Sequence, residues 1–133
     1  INVVDLMKLD STTNHPHGLS NEEYDNLFTI DKPIIFNYHG YPTLIHELTY
    51  FRHNHNIHVH GYLEEGTITT AFDMRVKNKI DRFNLVKDAV SALPLPLDVK
   101  SKIINDMDSK LNLHHSYIKE YGEDLEEIKN WQF

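Results

Sequence analysis

Apolar residues along this chain follow two patterns. Residues 1–7, 33–38 and 56–63 are short runs rich in β-branched and aromatic side chains, which predicts three strands. Longer segments with a helical period lie between and after these runs. Because strands alternate with helices, the chain is predicted to form an α/β sandwich with a mostly parallel sheet.

Four segments place apolar side chains every three or four residues, as an amphipathic helix does. Ser20 and Glu23 have the spacing of a capping box at the start of the first segment, and Pro42 suits the first position of the second. The tail carries Trp131 and Phe133, aromatic side chains that we expect to dock against the domain surface. The predicted helices cover residues 21–28, 42–51, 72–93 and 98–121.

The composition narrows the class of protein. A length of 133 residues suits a single domain, and a net charge of −7 argues against a nucleic-acid partner. The chain has no cysteine, which excludes disulfides and thiolate zinc sites and is compatible with a reducing cytosol. No apolar run approaches the ~20 residues that cross a bilayer. Because the chain starts inside an apolar run without Met, we interpret it as a domain of a longer polypeptide.

Polar and glycine-rich turns follow the predicted strands. Ligands of open α/β sheets bind beyond the carboxyl ends of the strands, where we expect residues 10–18, 39–41 and 64–70 to meet. A histidine at this edge could act as an acid, a base or a phosphate contact, although such turns are more often only helix caps. The 64–70 loop lacks the lysine and glycine pattern of a P-loop. The candidate residues are His39, Gly40, Glu64, Glu65, Gly66 and Thr67.

Four histidines form a second candidate site at residues 53, 55, 58 and 60. His58 and His60 share one face of a strand, and two imidazoles at that spacing can bind one metal ion. The spacing of the four matches no standard zinc motif, and Asn54 and Asn56 between them favour a polar turn instead. A histidine-rich metal-binding module therefore stays open as an alternative function, as does an anion-binding regulatory module at the strand edge.

Two long segments resemble phosphoketolase. They are YPTLIH at residues 41–46 with LTY at residues 48–50, and EEGTITT at residues 64–70 with FDM at residues 72–74. Shorter matches to the same family lie in the same order at residues 2–7, 15–20, 31–33 and 81–86. The resemblance is strong over residues 1–93, and the remainder is similar in length and character.

The resemblance implies a domain of a cytoplasmic, homodimeric enzyme of the transketolase superfamily. Phosphoketolases are lyases (aldehyde-lyases) of carbohydrate metabolism that use thiamine diphosphate and magnesium. They cleave xylulose 5-phosphate or fructose 6-phosphate with inorganic phosphate, giving acetyl phosphate and an aldose phosphate. Residues 1–133 would be the C-terminal domain, a three-layer α/β/α sandwich, while the cofactor lies between two upstream domains.

One signature of thiamine enzymes, Gly-Asp-Gly with a downstream Asn pair, is absent from this chain. We therefore assign it no catalytic, cofactor-binding or metal-binding residue and predict that the domain alone is inactive. Its partners would be the upstream domains of the same polypeptide. His39 and the 64–70 loop are then expected to face those domains or an anion, and residues that choose between five- and six-carbon sugars would lie upstream.

Overall fold

A computed structural model describes residues 1–64, 66 and 68–132 of the chain. Two strands and six α-helices follow a short 3₁₀ helix in this part of the chain. In order, the elements are the 3₁₀ helix Leu6–Leu9, α1 (Asn21–Phe28), β1 (Ile34–Asn37), α2 (Pro42–Thr49), β2 (Ile57–His60), α3 (Ala71–Lys77), α4 (Arg82–Ala92), α5 (Leu97–Tyr121) and α6 (Glu126–Lys129). No helix among the described residues has the length and apolar character needed to span a membrane.

The sheet consists of β1 and β2, which pair in parallel and are joined by α2. Ile34 lies opposite Ile57, and the register continues to Asn37 opposite His60. The βαβ unit confirms the predicted α/β class and the parallel sheet. The sheet is smaller than the sequence pattern indicated, because the described residues contribute two strands to it.

Helices cover both faces of this sheet. On one face, Ile34, Phe36 and Val59 pack against a buried cluster of Leu9, Tyr24, Phe28 and Ile45. On the other face, Ile35, His58 and His60 look towards Asp88 of α4, which packs against β1. Successive side chains of each strand point to opposite faces of the sheet, and helices cover both faces. The layers therefore follow the predicted α/β/α order, with α1 and α2 on one side and α4 on the other.

The predicted strand at residues 1–7 is wrong. Asp5 accepts a hydrogen bond from the Met7 backbone N–H at 3.0 Å and starts the 3₁₀ helix Leu6–Leu9. The apolar side chains still reach the core, since Leu9 is buried and Val3 and Leu6 pack against the same cluster. The Asp5 side chain caps a helix here, so this segment does not pair as a strand. Aspartate often favours a helix start in this way, because its carboxylate accepts nearby backbone N–H groups.

The predicted single helix at residues 72–93 is also wrong, because α3 ends at Lys77 and α4 begins at Arg82. Asp81 breaks the segment: its carboxylate accepts the N–H groups of Phe83 at 2.8 Å and Asn84 at 3.1 Å, which makes it the N-cap of α4. The apolar side chains before and after this break still pack together, because both helices contribute to one cluster. This second cluster contains Phe72, Phe83 and Ile128.

The acidic tail docks on this second cluster. The Arg82 guanidinium lies 4.7 Å from the Trp131 ring, 4.9 Å from the Phe83 ring and 5.1 Å from the Phe72 ring. The expected docking of Trp131 is therefore confirmed, while Phe133 lies outside the described residues. A guanidinium among aromatic rings is held by cation–π attraction.

A buried arginine fixes the loop at residues 10–18. Arg52 is only 2% exposed and precedes β2, so it lies towards the amino ends of the strands. It donates to the carbonyls of Leu9, Asp10 and Leu19 and to the side chain of Asn21 at 2.5–3.0 Å. The expectation that this loop joins the carboxyl edge is therefore wrong.

Candidate functional site

The carboxyl edge of the sheet is formed by the residues that follow the two strands. The Tyr38 N–H donates to the His60 carbonyl at 2.9 Å, and the Tyr62 N–H donates to the Gly40 carbonyl at 2.8 Å. Strand pairing therefore continues past the last strand residues and brings the two connecting turns together. This is the edge at which the βαβ topology places ligands.

Close backbone contact holds the two turns in place. A Cβ atom on Gly61 would lie 2.3 Å from Cδ of Pro42 and 2.6 Å from the Gly40 carbonyl oxygen. A Cβ atom on Gly40 would lie 2.6 Å from the Tyr38 ring. Neither glycine can be replaced without moving its neighbours, so the edge is a tightly packed support for the side chains that rise from it.

His39 stands on this support with its ring exposed to solvent. The ring packs edge-to-face against Tyr62, with 4.3 Å between the ring centroids. Gly40 lies beside it, so the structure brings together two of the residues singled out in the sequence. The site is open, and a small molecule could approach the imidazole directly.

A cleft of about 360 Å³ opens beside His39. Its polar lining consists of Asn37, Tyr38, His39 and Arg75, and Ile80 supplies an apolar wall. No acidic residue in the described part of the chain lines it, although the sequence has 20 acidic residues. None of these four polar side chains hydrogen-bonds to another side chain or to backbone within the described part of the chain. The cleft therefore combines several unused hydrogen-bond donors with one permanent positive charge.

The described residues of the loop at residues 64–70 do not line this cleft. Glu64 and Gly66 are exposed and do not line it, and Gly66 has a positive φ of 67°. Glu65 and Thr67 lie outside the described residues. Of the loop residues, Ile68 has a fully exposed side chain. Of the candidate residues, His39 lines the cleft and Gly40 lies beside it, whereas Glu64 and Gly66 are exposed outside it.

Buried polar contacts anchor the end of that loop. The Thr69 hydroxyl donates to Asp73 at 2.7 Å, and the Thr70 hydroxyl donates to Asp124 at 2.5 Å. Asp73 in turn lies 3.3 Å from Nε2 of His114, and both of these side chains are buried. These hydrogen bonds hold Thr69 and Thr70, the two residues that directly follow the exposed Ile68.

The four histidines at residues 53–60 do not assemble into one site. His53 lies 2.7 Å from Asp25, His58 contacts Asn56, and His60 lies 2.8 Å from Asp88 on α4. Within the described residues, no group of three or more histidine, aspartate or glutamate side chains is arranged to hold a metal ion. These contacts speak against the histidine-rich metal-binding alternative.

The sequence analysis missed Arg75. Nothing in the local pattern sets this arginine apart, because it is one exposed position on an amphipathic helix. Its importance arises from tertiary packing, which brings α3 next to the end of β1. Arg75 becomes a candidate only once the topology is known, because the helix that carries it follows the loop at residues 64–70.

The chain forms a βαβ unit with helices on both faces of the sheet and an exposed strand edge. These features define an α/β domain with a parallel sheet between layers of helices. A profile of the family described as XFP C-terminal domain matches residues 1–133, and the chain belongs to this family.

Curated relatives agree with this assignment. The chain is 59% identical over 133 residues to a probable phosphoketolase of Clostridium acetobutylicum and 54% identical over 134 residues to probable phosphoketolase 2 of Rhizobium meliloti. It is 48% identical over 133 residues to the xylulose-5-phosphate phosphoketolase of Lactiplantibacillus pentosus. Each alignment covers 100% of this chain but only 17% of the relative.

Proposed function

We propose that this chain serves as the C-terminal, non-catalytic domain of a phosphoketolase. The observation that carries the proposal is the match of the whole chain to proteins named phosphoketolase, of which it covers 17%. The parent enzyme would be a cytoplasmic homodimer that uses thiamine diphosphate and magnesium. It would cleave xylulose 5-phosphate, fructose 6-phosphate or both with inorganic phosphate, forming acetyl phosphate and an aldose phosphate.

The donor set of this domain supports a role outside the chemistry. Magnesium with a diphosphate is usually held by carboxylate and other oxygen ligands. The described residues contain no cluster of three acidic or histidine side chains suited to a metal ion, and the sequence lacks Gly-Asp-Gly. The residues present therefore do not fit thiamine diphosphate with magnesium, and we assign them no step of the reaction.

An exposed surface near the carboxyl edge supports contact with the upstream domains. Ile68 is fully exposed, and it projects from a loop whose end is anchored through Thr69 and Thr70. Burying an exposed apolar side chain against another surface favours association. We propose that Ile68, Glu64 and Gly66 lie against the rest of the polypeptide in the assembled enzyme.

A domain exchange tests the proposal. The segment of the Clostridium acetobutylicum relative that matches this chain is replaced by residues 1–133, and acetyl phosphate formation is measured. We expect an active dimer, whereas the isolated chain should show no heat of binding with thiamine diphosphate and magnesium. Micromolar binding by the isolated chain, or a folded chimera without activity, would contradict the proposal.

Single substitutions in the same chimera test the interface. Ile68→Asp is expected to weaken the dimer or lower its unfolding temperature, because it places a charge at the proposed contact. Ile30→Asp is the matched control, since Ile30 is also exposed, at 62%, but lies before β1 at the opposite edge. Equal behaviour of the two variants would remove Ile68 from the interface.

A further inference from the structure

We propose that the cleft beside His39 binds the phosphate group of a small anion. Arg75 supplies the positive charge, and Asn37 and His39 supply further hydrogen-bond donors. The inference concerns this chain's own residues and goes beyond the proposed function, since it requires neither the cofactor nor the sugar substrate.

Arg75 differs from the other two arginines of the chain in having no internal role. Arg52 is buried against backbone carbonyls, and Arg82 is held among aromatic rings. The Arg75 side chain is exposed and makes no hydrogen bond, ion pair or ring contact with the described residues. Its guanidinium is therefore available to an external anion, although the adjoining groove also holds Asp81 and Asp124.

The other polar groups in the cleft suit an oxyanion. A guanidinium presents its N–H groups as a planar fork that matches phosphate and carboxylate oxygens. The Asn37 amide and the His39 ring can each donate one further hydrogen bond, whereas the Tyr38 ring packs against the first buried cluster. Among the described residues, no carboxylate lines the cleft itself.

The number of donors and the size of the cleft favour phosphate over a carboxylate. A carboxylate has two oxygens, and the arginine fork alone can occupy both. A phosphate group has more terminal oxygens and can use the additional donors. The cleft volume of about 360 Å³ falls within the range of small-molecule sites, and it lies where α/β sheets bind ligands.

A second groove adjoins the first and can accept the remainder of a phosphate ester. It has a volume of about 470 Å³ and shares Arg75 and Ile80 with the cleft. Leu85, Ile128 and Trp131 give it apolar walls, and its lining also includes Arg82 and the carboxylates of Asp81 and Asp124. Inorganic phosphate would occupy the cleft alone, whereas an ester with an apolar body would extend into this groove.

Titration calorimetry on the 133-residue chain tests the inference, with inorganic phosphate as the probe and constant ionic strength. We expect saturable binding with a dissociation constant on the order of 1 mM. Arg75→Gln should weaken it at least about tenfold, because a charge-assisted contact is lost. Arg75→Lys, which keeps the charge without the fork, should give a smaller loss.

Lys102→Gln is the matched control, since it removes one positive charge from an exposed position on α5 that lines neither cavity. Its affinity for phosphate should stay within about twofold of the parent chain, because a distant exposed charge is largely screened. Circular dichroism confirms that each variant is folded, and Arg75 makes no hydrogen bond, ion pair or ring contact with the described residues that the substitution would remove.

Phenyl phosphate and acetate complete the experiment. Tighter binding of phenyl phosphate would assign the site to an ester, and equal affinity would assign it to free phosphate; acetate should bind more weakly than either. Equal affinities of Arg75→Gln and Lys102→Gln, absence of saturable binding, or acetate binding as tightly as phosphate would overturn the inference. Because no cofactor or sugar is present, the result is independent of the chimera's activity.

Discussion

Arg52 offers a sharp test of how this domain is held together. Its side chain is 2% exposed, and it donates to three backbone carbonyls and to Asn21. Its guanidinium also lies 4.2 Å from the centroid of the Tyr24 ring. Burial lowers the pKa of Arg52, yet an arginine remains charged, so its removal takes a satisfied cation out of the core. Arg52→Ala should therefore destabilise the domain strongly.

The size of the effect follows from the three carbonyls. Leu9 is buried, so its carbonyl would lose its donor without ready access to water, at a cost of about 2 kcal/mol. Asp10 and Leu19 are half-buried, and water can partly replace the arginine there, leaving about 0.5–1 kcal/mol each. Loss of the cation–π contact adds about 1 kcal/mol. We expect a total loss of about 4 kcal/mol in the free energy of unfolding.

Urea unfolding followed by circular dichroism measures this loss. Arg52→Lys should cost about half as much, because one ammonium group cannot reach all four acceptors. Lys32→Ala is the control: it removes an exposed cation paired with Asp31 and should cost under about 0.5 kcal/mol. An Arg52→Ala variant within about 1 kcal/mol of the parent chain would refute this account of the loop at residues 10–18.

Three further substitutions test the sheet edge, a helix cap and the response to acid. Gly61→Ala should destabilise the domain by about 2 kcal/mol in urea unfolding, because its Cβ would meet Pro42 and Gly40; Gly66→Ala, which meets no neighbouring atom but keeps a positive φ, should cost about 1 kcal/mol or less. Asp81→Ala should cost about 1–2 kcal/mol through loss of the α4 cap, and Asp81→Asn, which keeps an oxygen acceptor, should recover most of it; equal losses would contradict the capping role. Hydrogen bonds from the Ser20 backbone and hydroxyl lower the pKa of Glu23, so its ionised form stabilises the fold above the unfolded pKa and this contribution disappears as pH falls through the lower folded pKa. The urea midpoints of the parent chain and Glu23→Gln should therefore converge as the pH falls from about 6 towards 3, and a constant difference would show that the ionised carboxylate contributes nothing.

Local patterns predicted the parts of the fold that depend on neighbouring residues. The capping box of Ser20 and Glu23 is present, and α2 begins at Pro42 as expected. The alternating faces of the second β-strand are also correct, because side chains alternate along any extended strand. These features need no knowledge of distant contacts, so one sequence is enough to predict them.

Competition between local and distant interactions explains the errors. Residues 1–7 have strand-like composition, but the Asp5 carboxylate bonds to Met7 and a short helix forms instead. Residues 72–93 keep a continuous apolar period, yet Asp81 caps a new helix within it. In both cases one aspartate caps a helix and so determines the backbone conformation. The hydrophobic pattern is compatible with both the predicted and the observed conformation, because the same side chains are buried in each.

The candidate site shows the same division. The topological rule for α/β sheets found His39 and Gly40, since both follow directly on a strand. The rule could not find Arg75, because its position depends on how the second cluster, with Phe72 and Phe83, packs beside the sheet. Sequence reasoning can therefore locate the edge of such a site but misses a group supplied by a later helix.

The two walls of the cleft are linked through Asn78. Its side-chain oxygen accepts the Leu63 backbone N–H at 2.8 Å, just beyond β2, and its amide donates to the Met74 carbonyl of α3 at 2.9 Å. Asn78 thereby ties the chain leaving the sheet to the end of the helix that carries Arg75. Because His39 belongs to the sheet edge and Arg75 to α3, this one side chain helps to set the distance between the imidazole and the guanidinium. A site for an oxyanion requires donors at fixed separations, and Asn78 provides that constraint without contacting the anion itself.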